Sequence, residues 1–359
     1  MKARIVIGAN AGDEGKGTVV ATYTKRSEKV LNVLTNGGAQ RGHSILTEDG
    51  SMSFHHFGSG TYHGADNYYS RYFILNPMQF VKEYNELIVK PKTYRDKKCL
   101  WTTPYDSMAN LISEQQKNRH ASCCMGIWNT IKRTKETGWV SFDDFVSSEA
   151  PLLYLKKAKE YYERNITIPE SWKSTWDNVY MALHFMEDCR FMFNHTVACE
   201  LASLNGYENL IFENGQGLIL CDTGKDTFDT TPSNTGILYS LELLKDLNVE
   251  SVTAHYVTRP YLTRHGDGRL EGETGRGFIS KDVAEDRTNH YNDGQGNFRY
   301  GILDIPELQE RIFRDEQNAI GTPNYNHVLE ITHCDEMDRI DEFKKYFANI
   351  NTYDSPLIK

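Results

Sequence analysis

No Cys-x-x-Cys pair occurs among the seven cysteines, Cys99, Cys123, Cys124, Cys189, Cys199, Cys221 and Cys334, and their number is odd. That pattern supports neither a disulfide framework nor a structural zinc site, and reads as reduced thiols. No apolar run reaches the roughly 18 residues of a membrane helix, so no contact with a membrane is expected. The chain lacks an excess of base: 40 Lys and Arg stand against 49 Asp and Glu, a net charge of −9. That excludes a general nucleic-acid binder or a protein held to an anionic surface, but not a single nucleotide in a local basic pocket. Internal repeats and low-complexity tracts are absent. The N-terminus enters a strand at once, so no signal peptide is expected and the cytoplasm is the expected location.

The 359 residues are rich in aromatics, at 12% with 21 Tyr, and allow a large globular core. The organising stretch is Arg4-Ile5-Val6-Ile7-Gly8-Ala9-Asn10-Ala11-Gly12-Asp13-Glu14-Gly15-Lys16-Gly17-Thr18. A β-branched run predicts a buried strand, a glycine-rich turn follows, and Thr18 to Lys25 can begin a helix. Glycine lets a backbone approach a ligand closely, a helix start offers free N–H groups, and Lys16 adds a full charge. Together they can hold a phosphate. A regular P-loop would have glycine where Asn10 stands and Ser or Thr where Gly17 stands. The missing hydroxyl argues against a GTPase-like switch. Two acids, Asp13 and Glu14, sit where a phosphate would be repelled, which suggests a metal ligand or a base acting on a second substrate.

A second predicted strand, Lys29 to Thr35, runs into Asn36-Gly37-Gly38-Ala39-Gln40-Arg41-Gly42-His43-Ser44. Glycine-rich segments at strand ends are where ligands of open α/β sheets sit, and His43 can carry a proton near neutral pH. Further strands are expected at Ser51 to Phe57, Tyr72 to Leu75 and Cys99 to Thr102. Helices are expected from Pro77 to about Val89 and from Tyr105 to Lys117. Ala121 to Ile127 reads as a tight turn of small residues. Helical spacing continues through Phe142 to Ser148, Pro151 to Arg164 and Ser171 to Leu204. The last of these carries Met181, Phe185, Met186, Phe191, Met192 and Phe193 as core and His184 and His195 in structural roles.

Asn209 to Glu213 predicts a strand leading into Asn214-Gly215-Gln216-Gly217. Next come Asp222-Thr223-Gly224 and Thr230-Thr231-Pro232-Ser233-Asn234-Thr235-Gly236, dense in amides and hydroxyls. Gln216 could reach a base edge and Thr231 a phosphate. The segment equally fits a polar loop capped by Ser233 or Asn234 before a helix near Ile237 to Leu247. Ser251 to Val257 predicts a strand before the basic Thr258-Arg259-Pro260-Tyr261-Leu262-Thr263-Arg264. The long Gly266 to Gly301 stretch is functional or mobile, and Arg299 in it could grip a carboxylate bidentately. Val328 to Thr332 is the expected last strand, before His333-Cys334-Asp335. Strands alternate with helices, so the expected class is α/β: a largely parallel central sheet flanked by helices, a helical middle section and long active-site loops. One domain over 1–359 is expected, with a helical insertion at roughly 105–205.

Six of these segments together resemble adenylosuccinate synthetase. Gly12-Asp13-Glu14-Gly15-Lys16-Gly17 is similar to that family's signature loop. Gly37 to Ser44 resembles its GGHNAGHT, Phe212 to Gly217 its FEGAQG, and Thr231 to Thr235 its TSSNT. Thr258 to Arg264 resembles TKAYTTR, and Thr332 to Asp335 resembles TKLD. The order and approximate spacing agree from residue 1 to about 340. The resemblance implies a ligase that joins L-aspartate to C6 of a purine nucleoside monophosphate, using a nucleoside triphosphate and Mg²⁺. It implies Asp13 as the base, with Lys16 and His43 stabilising the transferring phosphoryl group. Mg²⁺ would take oxygens from Asp13 and the Gly42 carbonyl.

By the same resemblance the triphosphate would lie on Gly12, Asp13, Glu14, Gly15, Lys16, Gly17, Thr18, Gly42, His43 and Ser44, its base near His333 and Asp335. The monophosphate substrate would meet Asp13, Gln40, Arg41, Ser122, Cys123, Gln216 and Thr231. Aspartate would meet Gly296, Asn297 and Arg299. Family members are homodimers with a basic residue reaching across the interface, for which Lys132 and Arg133 are the candidates.

Departures fall at the substrate-choosing positions. Gln40 replaces an Asn, Ala39 a His, Cys123 a Thr and His333 a Lys. The arginine-rich aspartate loop is thinned to Asn297-Phe298-Arg299-Tyr300, and the C-terminal nucleotide-binding segment is not recognisable. These changes are similar to the phage-type branch of the family, which makes the 2-aminoadenine precursor from dGMP, aspartate and ATP or dATP; the location is then the host cytoplasm. Some members of that branch carry serine at the position of Asp13. The alternatives are an ordinary member using IMP and GTP, and a non-catalytic nucleotide-binding protein on the same scaffold.

Overall fold

The computed structural model describes residues 1–24, 28–47, 50–117, 122–221, 230–283, 286, 289, 291, 296–354 and 357–358. Ala121, Asp222, Thr223, Gly224 and part of the 266–301 stretch lie outside the described residues. Nine strands form the central sheet: β1 (Lys2–Gly8), β2 (Val30–Leu34), β3 (Asp66–Tyr69), β4 (Thr93–Arg95), β5 (Val197–Ala198), β6 (Asn209–Gly217), β7 (Ser251–Thr258), β8 (Tyr325–Ile331) and β9 (Ile350–Thr352). Their spatial order is β5-β4-β3-β2-β6-β1-β7-β8-β9, and every neighbouring pair is parallel.

A parallel sheet is covered on both faces, which is why its strands read as near-continuous apolar runs. In β1 the side chains alternate. Ile5 and Ile7 join a core with Val33, Phe212, Ala254, Leu241, Leu308 and Ile312, while Val6 turns to the opposite face with Val19 and Val20 of the helix Lys16–Tyr23. Each fully buried Ile or Val contributes about 1.5–3 kcal/mol. This packing fixes β1, and with it the loop that leaves its carboxyl end.

The middle of the chain supplies the helices Pro104–Lys117, Ile127–Thr137, Phe142–Ser147, Pro151–Asn165, Glu170–Trp176 and Val179–Asn194. Phe185, Met186 and Met192 are buried there among Phe80, Tyr105, Phe142, Phe145 and Trp176; Met181, Phe191 and Phe193 pack against that core from its margin. His184 and His195 are exposed.

Several elements differ from the sequence reading. The helix expected from Ser171 to Leu204 breaks at Asp177, because the Asn178 side chain accepts the Tyr180 N–H and starts a new helix. The chain then enters the edge strand β5. The strand expected over Ser51 to Phe57 stops at Phe54 and pairs antiparallel with His43–Thr47, outside the main sheet. Beyond it the buried Glu83 carboxylate collects the N–H groups of His55, His56 and Phe57, which removes them from any ladder. Phe73–Leu75 and Leu100–Trp101 belong to a small parallel sheet with Gly37–Gly38. β8 is not the last strand, since β9 lies beside it. The helix Leu238–Leu244 is capped by neither Ser233 nor Asn234: Asp315 accepts the Ile237 N–H instead. No helix among the described residues is long and apolar enough to cross a membrane.

Candidate active site

The carboxyl ends of β1, β2, β6, β7 and β8 open on one side of the sheet. After β1, residues Gly12, Asp13 and Gly15 have φ of 104°, 62° and 94°. This left-handed backbone is available to glycine and tolerable for Asp, and it curls the loop back over the start of the helix Lys16–Tyr23. Gly17 follows Lys16 for a packing reason. A Cβ there would lie 2.6 Å from the Ser44 carbonyl oxygen, so a P-loop Ser or Thr does not fit.

The two acids of this loop have different places. Glu14 is 1% exposed. Its Oε1 accepts the N–H groups of Asn10 (3.1 Å) and Gly12 (2.8 Å), and its Oε2 lies 2.9 Å from Lys16 Nζ. The Glu14 carboxylate therefore braces the loop from inside and does not face a phosphate, contrary to its expected place on the triphosphate. Asp13 lines the open side. Burial raises its carboxyl pKa, and Lys16 and His265 offset part of the rise. The end of β7 holds the same loop, since Arg259 Nε donates to the Asp13 carbonyl at 2.8 Å, and Thr332 after β8 donates to the Glu14 carbonyl at 2.7 Å.

His43 stands across the cleft at the start of His43–Thr47. Its Nδ1 lies 2.5 Å from Glu213 Oε1 at the end of β6. Glu213 also accepts from the Ser59 N–H at 2.9 Å and from the Ser59 hydroxyl, and it pairs with Arg41 at 3.2 Å. Burial alone would raise the Glu213 carboxyl, but Arg41, His43 and Ser59 outweigh it and hold it at about 2. Burial and the Arg41 charge lower His43 to about 4. The 2.5 Å contact between Nδ1 and the Glu213 carboxylate suits a donating Nδ1–H. Glu213 carried no role in the sequence reading. The available signal was an acid closing the apolar run Leu210-Ile211-Phe212, since a carboxylate buried in a sheet needs a partner.

Two adjoining cavities of about 590 Å³ and 310 Å³ share Gln40, Cys123, Met125, Gln216, Leu220 and His265. The smaller is lined by Gly12, Asp13, Lys16, Gly42, His43 and Ser44, and the larger by Ser122, Thr231, Lys132 and Arg264. The side-chain amide atoms of Gln40 and the Oε1 of Gln216 are buried without a hydrogen-bond partner among the described residues. Such groups cost about 1–3 kcal/mol each unless a ligand or water meets them. Burial pushes the Cys123 thiol up to about 12, so it sits in the cleft as a neutral group.

Other expected site residues are placed elsewhere. Arg41 lines the smaller cavity, but its guanidinium is buried and turned away, donating to the Glu213 and Phe57 carbonyls. Thr18 Oγ1 is likewise turned into the interior. Arg299 grips Glu273 through Nε (2.8 Å) and Nη2 (2.5 Å) and the carbonyls of Gly266 and Gly268 through Nη1. Asn297 accepts the Gly266 N–H and Gly296 lies against His265, so these three close their own loop rather than line the cleft. Arg264 and His265 line it instead. His333 is buried beside Thr332, with burial and the Arg259 charge keeping it neutral, while Asp335 is exposed, and neither lines the cleft. Arg133 is locked to Asp106 at 2.7 and 3.0 Å, which leaves only Lys132 of the two cross-subunit candidates with its side chain uncommitted to Asp106.

Strand-end loops of this kind are shared by many nucleotide enzymes, and comparison with known proteins separates them. The family model for adenylosuccinate synthetase matches residues 5–346. The chain belongs to the adenylosuccinate synthetase family. These are ligases that form a C–N bond, act on small-molecule nucleotides and aspartate, and are generally Mg²⁺-dependent. The chain is 24% identical to adenylosuccinate synthetase from Petrotoga mobilis, over 99% of this chain and 84% of that one. It is 24% identical to the Clostridium perfringens enzyme, over 86% and 74%. Among solved structures, fully ligated adenylosuccinate synthetase from Plasmodium falciparum matches with a TM-score of 0.69 at 20% identity, over 94% of this chain and 78% of that one. Cyanophage S-2L succinoaminodeoxyadenylate synthetase, bound to dGMP and dATP, matches with a TM-score of 0.63 at 10% identity, over 99% and 92%. Both likenesses are of fold.

Proposed function

We propose that this synthetase joins L-aspartate to C6 of dGMP with ATP or dATP as phosphoryl donor, giving 2-amino-2′-deoxy-N6-succinyladenylate, ADP or dADP, and phosphate. The observation that carries a ligase reading is the convergence of Asp13, Lys16 and His43 on one cleft that continues past the unpartnered amide of Gln40 and the unpartnered Oε1 of Gln216. The purine O6 is a poor leaving group. Asp13 takes the N1 proton, O6 attacks the γ-phosphorus, and the nucleoside diphosphate leaves. Lys16 and His43 stabilise charge on the transferring phosphoryl group. The aspartate amine then attacks C6, phosphate departs with the C6–O6 bond, and the amine gives up a proton.

No group of three or more His, Cys, Asp or Glu among the described residues forms a ready metal cage. The donors at the cleft are oxygens, which suits Mg²⁺, an ion that takes one or two carboxylates and otherwise substrate phosphates. Asp13 and the Gly42 carbonyl would hold it, and when bound it would neutralise phosphate charge.

The choice of dGMP is supported by Gln40, Ala39 and Cys123, cleft positions where the chain departs from its family. One fold likeness, over 99% of this chain and 92% of the other, is to a protein bound to dGMP and dATP, while the one with the higher TM-score, 0.69, is to an adenylosuccinate synthetase. Retention of Asp13, and the ordinary synthetases among its relatives, favour the second reading, IMP with GTP. The protein is proposed to work as a homodimer in the cytoplasm. Mass spectrometry of the product from dGMP, aspartate, ATP and Mg²⁺ tests the first reading; a succinyl adduct from IMP with GTP and none from dGMP would replace it with the second.

A further inference from the structure

Glu213 touches no part of the open cleft, yet it makes more polar contacts at the end of β6 than packing needs. It is fully buried, with Arg41 and both donors of Ser59 spent on it, and its Oε1 lies 2.5 Å from His43 Nδ1. Three separate segments thus meet at one carboxylate: the loop after β2 brings Arg41 and His43, the segment after Phe54 brings Ser59, and β6 brings Glu213 itself. The Ser59 segment is in turn tied down by Asn67 Oδ1, which accepts the Gly58 N–H at 2.7 Å, and by the Glu83 carboxylate. Such convergence fixes the direction of a ring as well as its place. An imidazole whose Nδ1–H is held by a carboxylate presents only Nε2 to a ligand, and its second ring state is suppressed.

We propose that Glu213 is a positioning residue: it fixes the His43 ring and its Nδ1–H tautomer so that Nε2 alone faces the transferring phosphoryl group. Arg41 pairs with the same carboxylate at 3.2 Å, and the N–H and hydroxyl of Ser59 set the direction of its oxygens. This rests on the reading of His43 as a phosphoryl-contacting group. The role differs from simple support of the fold, because a group that orients a catalytic ring acts on kcat more than on nucleotide binding.

Two variants separate the possibilities. Glu213→Asp keeps the charge that Arg41 needs but withdraws the carboxylate from Nδ1 by about one methylene. Glu213→Gln keeps the reach and removes the charge. The tautomer is read from ¹⁵N shifts of the imidazole in the protein without substrate, and kcat and KM are read with whichever nucleotide pair the unaltered enzyme turns over. In the unaltered protein His43 is expected as the Nδ1–H tautomer. In folded Glu213→Asp that state is expected to be mixed, kcat about 100-fold lower and the nucleotide KM within about threefold. Glu213→Gln, where it folds, is expected to lower kcat at least as far. A folded Glu213→Asp with unchanged kcat and an unchanged His43 tautomer would overturn the proposal, and so would a loss carried entirely by KM. An unaltered enzyme that turns over no nucleotide pair would instead refute the ligase reading, while the ¹⁵N shifts would still decide whether Glu213 orients the ring.

Discussion

Replacing Glu14 by Gln tests the inward-facing acid of the first loop. Glu14 and Lys16 are 1% and 3% exposed and form a pair at 2.9 Å. Removing one member of a buried ion pair leaves the other uncompensated, at a cost of about 3–5 kcal/mol. The amide also keeps only one acceptor oxygen, although the Asn10 and Gly12 N–H groups still need it. With an unfolding entropy of about 2.1 cal/mol/K per residue over 359 residues, that cost lowers Tm by about 4–7 °C. Bound triphosphate would give Lys16 new anionic partners, so saturating nucleotide should restore more of the Tm in Glu14→Gln than it adds to the unaltered protein. Differential scanning calorimetry with and without nucleotide reads both quantities. A Tm within about 1 °C of the unaltered protein would refute an internal brace, and equal nucleotide shifts in the two proteins would refute the idea that Glu14 and phosphate share Lys16.

Asp13→Asn should lower kcat by about 10²–10⁴-fold with nucleotide binding largely kept, checked by steady-state kinetics beside equilibrium titration. Chelation with EDTA should stop turnover and leave the Tm of nucleotide-free protein unchanged, since the described residues form no metal cage of their own. Asp315 is raised to about 6 by burial, its hydrogen bonds from Tyr256 and Ile237 offsetting only part. A carboxyl raised in the fold contributes stability that is complete below its unfolded pKa of about 3.9 and is lost as pH rises through about 6. Denaturation of Asp315→Asn and the unaltered protein between pH 4 and 7 should therefore diverge, the unaltered protein losing ground as pH rises; parallel curves would contradict this.

The sequence reveals most where a signal is local. The run Ile5-Val6-Ile7, the glycines after it and the apolar spacing of Pro104–Lys117 and Pro151–Asn165 depend on near neighbours only, and the parallel α/β class follows from them. β5 is two residues long and β9 three, too short for periodicity to register. The first helix stops at Asp177, and Asn178 starts the next through a single hydrogen bond, which apolar spacing cannot register.

Site residues divide in the same way. Glu14 looks like a surface acid in a phosphate loop until the left-handed turn at Gly12 and Asp13 folds it beneath the chain. Arg41 and Glu213 are separated by 172 positions, so neither motif announces the other. Arg299 reads as a free guanidinium only while its partner Glu273, on a strand that pairs beside it, is unseen.

The most direct measurement is phosphate release by the purified protein with Mg²⁺ and aspartate, comparing kcat/KM for dGMP with ATP against IMP with GTP. A preference for dGMP with ATP, abolished in Asp13→Asn, is the expected result. Turnover of IMP with GTP alone would contradict the substrate assignment, and turnover that survives Asp13→Asn unchanged would contradict the chemistry assigned to the cleft.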